Sequence, residues 1–340
     1  MEQKKTEDHK NVETSTQSKP RNYEAGKRRF TFYCSWDFPA EASVDVRDFD
    51  NRWPTTLEFR KYAWPNLEWM RDFEDQGVGN QMEHGVLRGY QEFPKLMGEA
   101  TGQEVPLLQR VDKTGNRQLL DERVIADTDT LMLVSLDHVR TGQKITPGEV
   151  QMLNEFLSRE GTCLIISPHH DVGSADDQGT RVMEHEHHGD WTVGGQERFS
   201  GFARSVFAAL DLPVENRHGL SPARVKGTRE PEPLSVAADL DKRGLLRGVS
   251  TFNAHNHLPH FAITRDDAKG GVVLARQRIN PNAKPHPFVQ AGNTEFNALV
   301  WFPPAGKRAG DILVADLTIW SARFGGDECV RQFWQNLAKM

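Results

Sequence analysis

The chain is poor in cysteine: Cys34, Cys163 and Cys329 are the only three in 340 residues. They are odd in number, widely spaced and in no Cys-x-x-Cys pair, which argues against a disulfide framework or a cysteine-rich zinc site. A reducing cytoplasm is the compartment that fits. No apolar run approaches the roughly 20 residues that span a bilayer, so no membrane partner is expected. The N-terminal 27 residues are polar and lack the apolar core of a secretory signal. Blocks of Lys and Arg are also missing from the remainder, and the formal net charge is -6. Without a basic surface to meet a phosphate backbone, nucleic acid is not an expected partner.

What is present is an ordinary globular composition, 37% hydrophobic and 26% charged, in a chain long enough to bury a large core. Residues 1–28 are mostly Lys, Glu, Gln, Thr and Ser, too polar to offset their ordering entropy, and are expected to form a disordered tail. Residues 29–340 contain no linker that marks a boundary and are read as a single α/β domain. Phe30-Thr31-Phe32-Tyr33-Cys34 has the β-branched and aromatic character of a strand. Trp36, Trp53, Trp64 and Trp69 follow, and are read as a packed aromatic cover rather than a ligand-stacking surface. A helix is expected over 80–93, with Met82, Val86, Leu87, Tyr90 and Phe93 at helical spacing and Pro94 ending it.

The clearest unit lies between residues 130 and 166. Thr130-Leu131-Met132-Leu133-Val134 is nearly continuous apolar sequence, as in a strand buried on both faces. Thr146-Pro147-Gly148-Glu149 is a capping box with proline at the first helical position, and Val150, Leu153, Phe156 and Leu157 form one stripe behind it. Gly161 is placed to end that helix, and Cys163-Leu164-Ile165-Ile166 is a second buried strand. Strand, capped helix and strand make a right-handed βαβ crossover with parallel strands. Further helices are expected over 197–210 and 328–339, and strands over 272–275, 298–302 and 312–315. The expected fold is a mostly parallel sheet with helices on both faces, of flavodoxin-like type.

Histidine placement is the unusual feature. Five of the thirteen histidines, His169, His170, His185, His187 and His188, fall in one short window, and His255, His257 and His260 fall in another. The first window opens directly after the strand ending at Ile166, and ligands of open α/β sheets bind outside the carboxyl ends of strands. Residues 184–190 are read as a loop before the helix at 197. Neutral imidazoles and carboxylates are the natural ligands of Zn, Fe or Mn. His169, His170, His185, His187 and His188 are therefore candidate ligands, joined by His255 and His257 if the two windows converge. Asp171 and Glu186 are the candidate bases. No HExxH spacing is present, and loop histidines are often simply solvated. Nucleophile readings are weaker. Ser167 lacks a GxSxG elbow, and Cys163 at a strand start reads as buried rather than reactive. Gly194-Gly195 reads as plain loop. Asp316 after the strand at 312–315 reads equally as ligand, base or turn cap.

On the strand 130–134, the helix opening at Thr146-Pro147-Gly148-Glu149, and Gly161-Thr162-Cys163-Leu164-Ile165-Ile166, residues 127–170 resemble the class I glutamine amidotransferase-like fold, especially its divergent members without amidotransferase activity. Active members carry a GxCxG nucleophile elbow. This chain has none, and Cys163 opens its strand rather than following it, so no catalytic residue is carried over. Two functions follow. One is a metal-dependent hydrolase acting on a small-molecule substrate at a histidine-rich site. The alternative is a non-catalytic amidotransferase-like module that binds a ligand or a partner protein at the same strand ends.

Overall fold

Alternating large side chains make β1 (Phe30–Asp37) a strand with two buried faces: Phe30, Phe32, Cys34 and Trp36 pack on one side, Tyr33 on the other. The computed structural model describes residues 27–37, 39–40, 87–112, 114–189, 195–252, 255–265, 270–321 and 327–340. Of the expectations above, almost all of the polar tail, Trp53, Trp64, Trp69 and the first part of the 80–93 helix lie outside the described residues. After β1 the chain runs through α1 (Glu92–Thr101), β2 (Leu107–Val111), α2 (Glu122–Ile125), β3 (Thr130–Ser135), α3 (Pro147–Leu157) and β4 (Cys163–Pro168). Then come α4 (Gln178–His188), α5 (Gly201–Ala209), β5 (Val214–Leu220), β6 (Ser235–Val236), β7 (Leu258–Ile263) and β8 (Val272–Arg278). The chain closes with α6 (Pro287–Gln290), β9 (Glu295–Phe302), β10 (Asp311–Ala315) and α7 (Asp327–Leu337).

Eight strands form one mixed sheet in the order β2-β1-β3-β4-β10-β9-β8-β6, and β5 pairs with β7 in a separate antiparallel ribbon. The five strands β2, β1, β3, β4 and β10 are mutually parallel, while β9, β8 and β6 add antiparallel pairs at one side. Helices cover both faces. Phe93 and Met97 of α1 pack with Val330, Phe333, Trp334 and Leu337 of α7 on one side. The other side holds Val124 and Ile125 of α2, Leu153, Phe156 and Leu157 of α3, and Phe202 and Val206 of α5. An α/β protein with a mostly parallel sheet is thus what the sequence builds. Among the described residues no helix is long and apolar enough to cross a membrane.

The βαβ crossover stands as expected, with Thr130–Ser135 in register with Cys163–Pro168. Thr146 accepts the Glu149 amide, and the Glu149 carboxylate accepts the Thr146 amide, at 2.9 Å. Glu149 also closes a buried ion pair with Arg110 of β2, whose guanidinium reaches Gln143 Oε1 at 3.0 Å and Tyr33 Oη at 3.1 Å.

Two helices depart from expectation. Pro94 does not end a helix but sits in the first turn of α1, where its missing N–H has no intrahelical partner to lose; the preceding Leu87–Tyr90 is a 3-10 turn. The helix expected from 197 starts at Gly201, because Glu197 and Phe199 pair instead as isolated bridges with Val172 and His138.

Candidate metal centre

The structure makes residues 178–188 a helix, where residues 184–190 are expected to be loop. Asp177 caps it, accepting the Thr180 amide at 2.7 Å, and Gly189 closes it at φ 82. That left-handed conformation is one glycine adopts without a Cβ penalty. No apolar stripe announces α4, because its inward face is polar: Glu184, His185 and His187 are buried, while Glu186 is exposed. Residues 184, 185, 187 and 188 share one side of a helix by the i, i+3, i+4 rule.

The segment after β4 is anchored before it reaches this helix. Ser200, fully buried in a left-handed conformation at φ 66, accepts the His169 amide at 2.7 Å and donates to Ser135 O at 2.6 Å. A non-glycine residue held at positive φ stores strain that surrounding contacts must offset. Asn216 of β5 donates to His169 O at 2.8 Å, and the Gly219 amide donates to Asp171 O at 3.2 Å. The His170 ring lies so close to the Gly219 backbone that a Cβ there would fall 2.8 Å from its Cγ and 2.9 Å from its Nε2.

Three imidazoles converge as a result. His170 follows β4, His188 ends α4, and His257 immediately precedes β7; one ring nitrogen from each lies within 4.8 Å of the others. The Nε2 atoms of His170 and His188 are 3.1 Å apart, and His188 stacks on His257 at 3.7 Å between ring centroids. A tetrahedral ion with N–metal bonds near 2.0–2.1 Å holds its nitrogens about 3.3 Å apart, close to the separation observed. Burial, and then the neighbouring imidazoles, push the His170 and His257 rings well below the ordinary histidine range. Both are consequently neutral at pH 7, the form that ligates metal.

His255 and His169 border this group. The His255 ring is 6.0 Å from that of His170 and 6.2 Å from that of His169, and its Nδ1 bonds to its own loop at His257 O. Burial lowers the His255 ring to about 4 against the pull of Asp316. His169 Nδ1 lies 3.9 Å from Asp316 Oδ1, and neither atom has a hydrogen-bond partner. The other carboxylate oxygen of Asp316 caps the 3-10 turn Leu317–Trp320 by accepting from Thr318. Asp316 is thereby both the turn cap and the carboxylate beside the histidines.

The remaining candidates are engaged elsewhere. His187 donates from Nδ1 to Lys284 O at 2.6 Å and accepts the Ser221 amide on Nε2 at 3.0 Å, so both ring nitrogens serve the fold. His185, fully buried, contacts Gly195 O at 3.2 Å and lies outside the convergent three. Asp171 is buried and tied to Arg204 at 2.7 Å and to the Phe199 amide at 3.0 Å. Burial nonetheless raises its carboxyl above the ordinary range. Glu186 is exposed. Ser167 is buried and accepts from Trp320 Nε1 at 2.7 Å, and burial pushes the Cys163 thiol up to about 12.

The structure adds two histidines that no motif singled out. His218 on β5 lies opposite Asp171, and His286 caps α6; their rings are 4.3 Å apart, and His286 is 5.1 Å from His187. Each is isolated in sequence; the bridge between Pro222 and Ile279 draws the end of β5 beside the segment that leads to His286.

Comparison with known protein families found no match, and none of the curated proteins matched. Among solved structures, the mmIFT52 N-terminal domain is similar with a TM-score of 0.40 and 10% identity, covering 72% of this chain and 85% of that one. A likeness of that size carries no argument about fold or function.

Proposed function

We propose that the chain is a metal-dependent hydrolase whose divalent ion, Zn, Fe or Mn, is held by His170, His188 and His257. The observation that carries this reading is the convergence of three imidazoles from three separate segments near the carboxyl ends of β4 and β10. Three histidines leave a coordination position open, the arrangement of catalytic rather than structural sites. An ion bound there would lower the pKa of its water and polarise a carbonyl or phosphoryl oxygen of a small-molecule substrate. Asp316, with one oxygen turned to His169, is the base this geometry favours over Asp171 and Glu186. His255 and His169 border the opening.

The finer fold assignment belongs to the same proposal. The parallel strands follow the order β2-β1-β3-β4-β10, the order of flavodoxin-like sheets, which supports the amidotransferase-like resemblance. In such sheets the β1/β3 switch point is the usual ligand crevice. Here Asp137 occupies that point and accepts from Ser35, from Ser135 at 2.7 Å and from the Phe202 amide at 2.9 Å. With that position filled by its own helix α5, the β4/β10 end is the place left for a ligand. The three unpaired cysteines fit a reducing cytoplasm.

The test is hydrolysis of chromogenic carboxyl and phosphoryl esters by chelator-treated protein reloaded with Zn, Mn or Fe(II). Metal-restored turnover that falls at least 100-fold in His257→Ala and in Asp316→Asn supports the reading. Turnover indifferent to both substitutions would contradict it, as would ion binding with no hydrolysis of any ester.

A further inference from the structure

We propose a second divalent-cation site, built from the Glu184 carboxylate and the imidazoles of His218 and His286. Its residues are distinct from those of the first site, and the inference does not depend on the hydrolase reading. The three ligand atoms come from α4, β5 and the residue that opens α6, and all lie within 4.8 Å of one another. Glu184 and His286 are buried, at 8% and 1% exposure. The Nε2 atoms of His218 and His286 are buried with no hydrogen-bond partner. Such atoms are costly to leave unsatisfied, so a ligand shared among them is the simplest account of their placement.

The charge balance points the same way. The Glu184 contacts are the Ala175 amide at 3.2 Å and the Ser174 hydroxyl at 3.4 Å, both neutral. A buried carboxylate without a cation is unfavourable. Two imidazole nitrogens and one carboxylate oxygen face one another there as a mixed donor set. Nitrogen and oxygen donors together suit Zn, and also Mn or Fe.

Binding through His286 Nε2 has a defined consequence. His286 Nδ1 now accepts the Phe288 amide at 3.1 Å, so Nε2 carries the ring proton. On ligation that proton leaves Nε2 and Nδ1 becomes the protonated nitrogen, so α6 gives up its side-chain cap. A metal–imidazole bond outweighs one net hydrogen bond of roughly 1 kcal/mol. The neighbouring His187–Lys284 bond already docks this loop on α4, so the ion would add a cross-link among three elements distant in sequence.

Titration of the chelator-treated full chain with Co(II), followed by visible absorption and equilibrium dialysis, tests the site. Two equivalents are expected in the wild type, falling to one in Glu184→Gln and to one in His188→Ala/His257→Ala. The Phe288 amide should exchange faster in the loaded wild type, a readout that needs no variant. One equivalent in both the wild type and Glu184→Gln, with Phe288 exchange unchanged, overturns the second site and leaves the first standing. An ion lost in Glu184→Gln but indifferent to His188→Ala/His257→Ala keeps this inference and removes the first reading.

Discussion

Gly219 shows how the site depends on single residues. It is a glycine because the His170 ring occupies the space of its side chain, not because its backbone turns. Gly219→Ala is expected to push His170 off its position and weaken metal binding by 10-fold or more while the sheet stays folded; competition against a chromogenic chelator measures it. Unchanged affinity would remove His170 from the ligand set. A second residue-scale prediction concerns stability alone. Arg110 and Glu149 are almost wholly buried, and Glu149 also accepts the amides of Thr146 and Leu120. Arg110→Ala leaves that carboxylate buried without its cation, and should cost about 3–5 kcal/mol in urea unfolding. A loss below about 1 kcal/mol would show that the pair contributes little.

At the scale of elements, legibility followed the kind of residue each element buries. The crossover β3–α3–β4 could be read because Leu131, Leu133, Leu164 and Ile166 are apolar and Thr146 and Glu149 carry a capping signature. Helix α4 could not, because the face it buries is made of Glu184, His185 and His187, which no hydrophobic period detects. Asp177 and Gly189 cap its ends, but caps without an apolar stripe are a weak signal in sequence. Strand β5 was hidden for a related reason: His218 and Gly219 interrupt its alternation at a register shift between Asn216 and Gly219. The histidine windows were read as a site, and their convergence is partial. His170, His188 and His257 meet, His187 serves the fold, and His218 with His286 had no sequence neighbour to draw notice. Because α4 carries proposed ligands of both sites, its last turn should tighten when metal binds. Amide exchange at 185–188 is expected to slow at least 10-fold in loaded protein; equal rates with and without metal would separate α4 from the ion.

At the scale of the whole molecule, the histidines set a pH dependence. His255 and His260 are held at about 4, His286 at about 3 and His218 at about 2, chiefly by burial, against an unfolded value near 6.5. The folded state therefore binds fewer protons than the unfolded state below pH 6.5. The stability these neutral rings support is fully present above pH 6.5 and is lost as pH falls towards 4 and below. Each contributes a slope on the order of 1.4 kcal/mol per pH unit, so a few suffice to exhaust a typical domain stability of roughly 5–15 kcal/mol. Metal-free protein should lose thermal stability steeply between pH 6.5 and 5, and added Zn should move that loss to lower pH. A melting temperature constant from pH 7 to 5 would contradict the burial of these rings.

The central claim, a divalent ion on His170, His188 and His257, is tested most directly by elemental analysis of untagged protein purified without chelator. Zn, Fe or Mn at one or more equivalents per chain is expected, reduced by one equivalent in His170→Ala/His257→Ala. Metal-free protein that gains no thermal stability from any of these ions would contradict it.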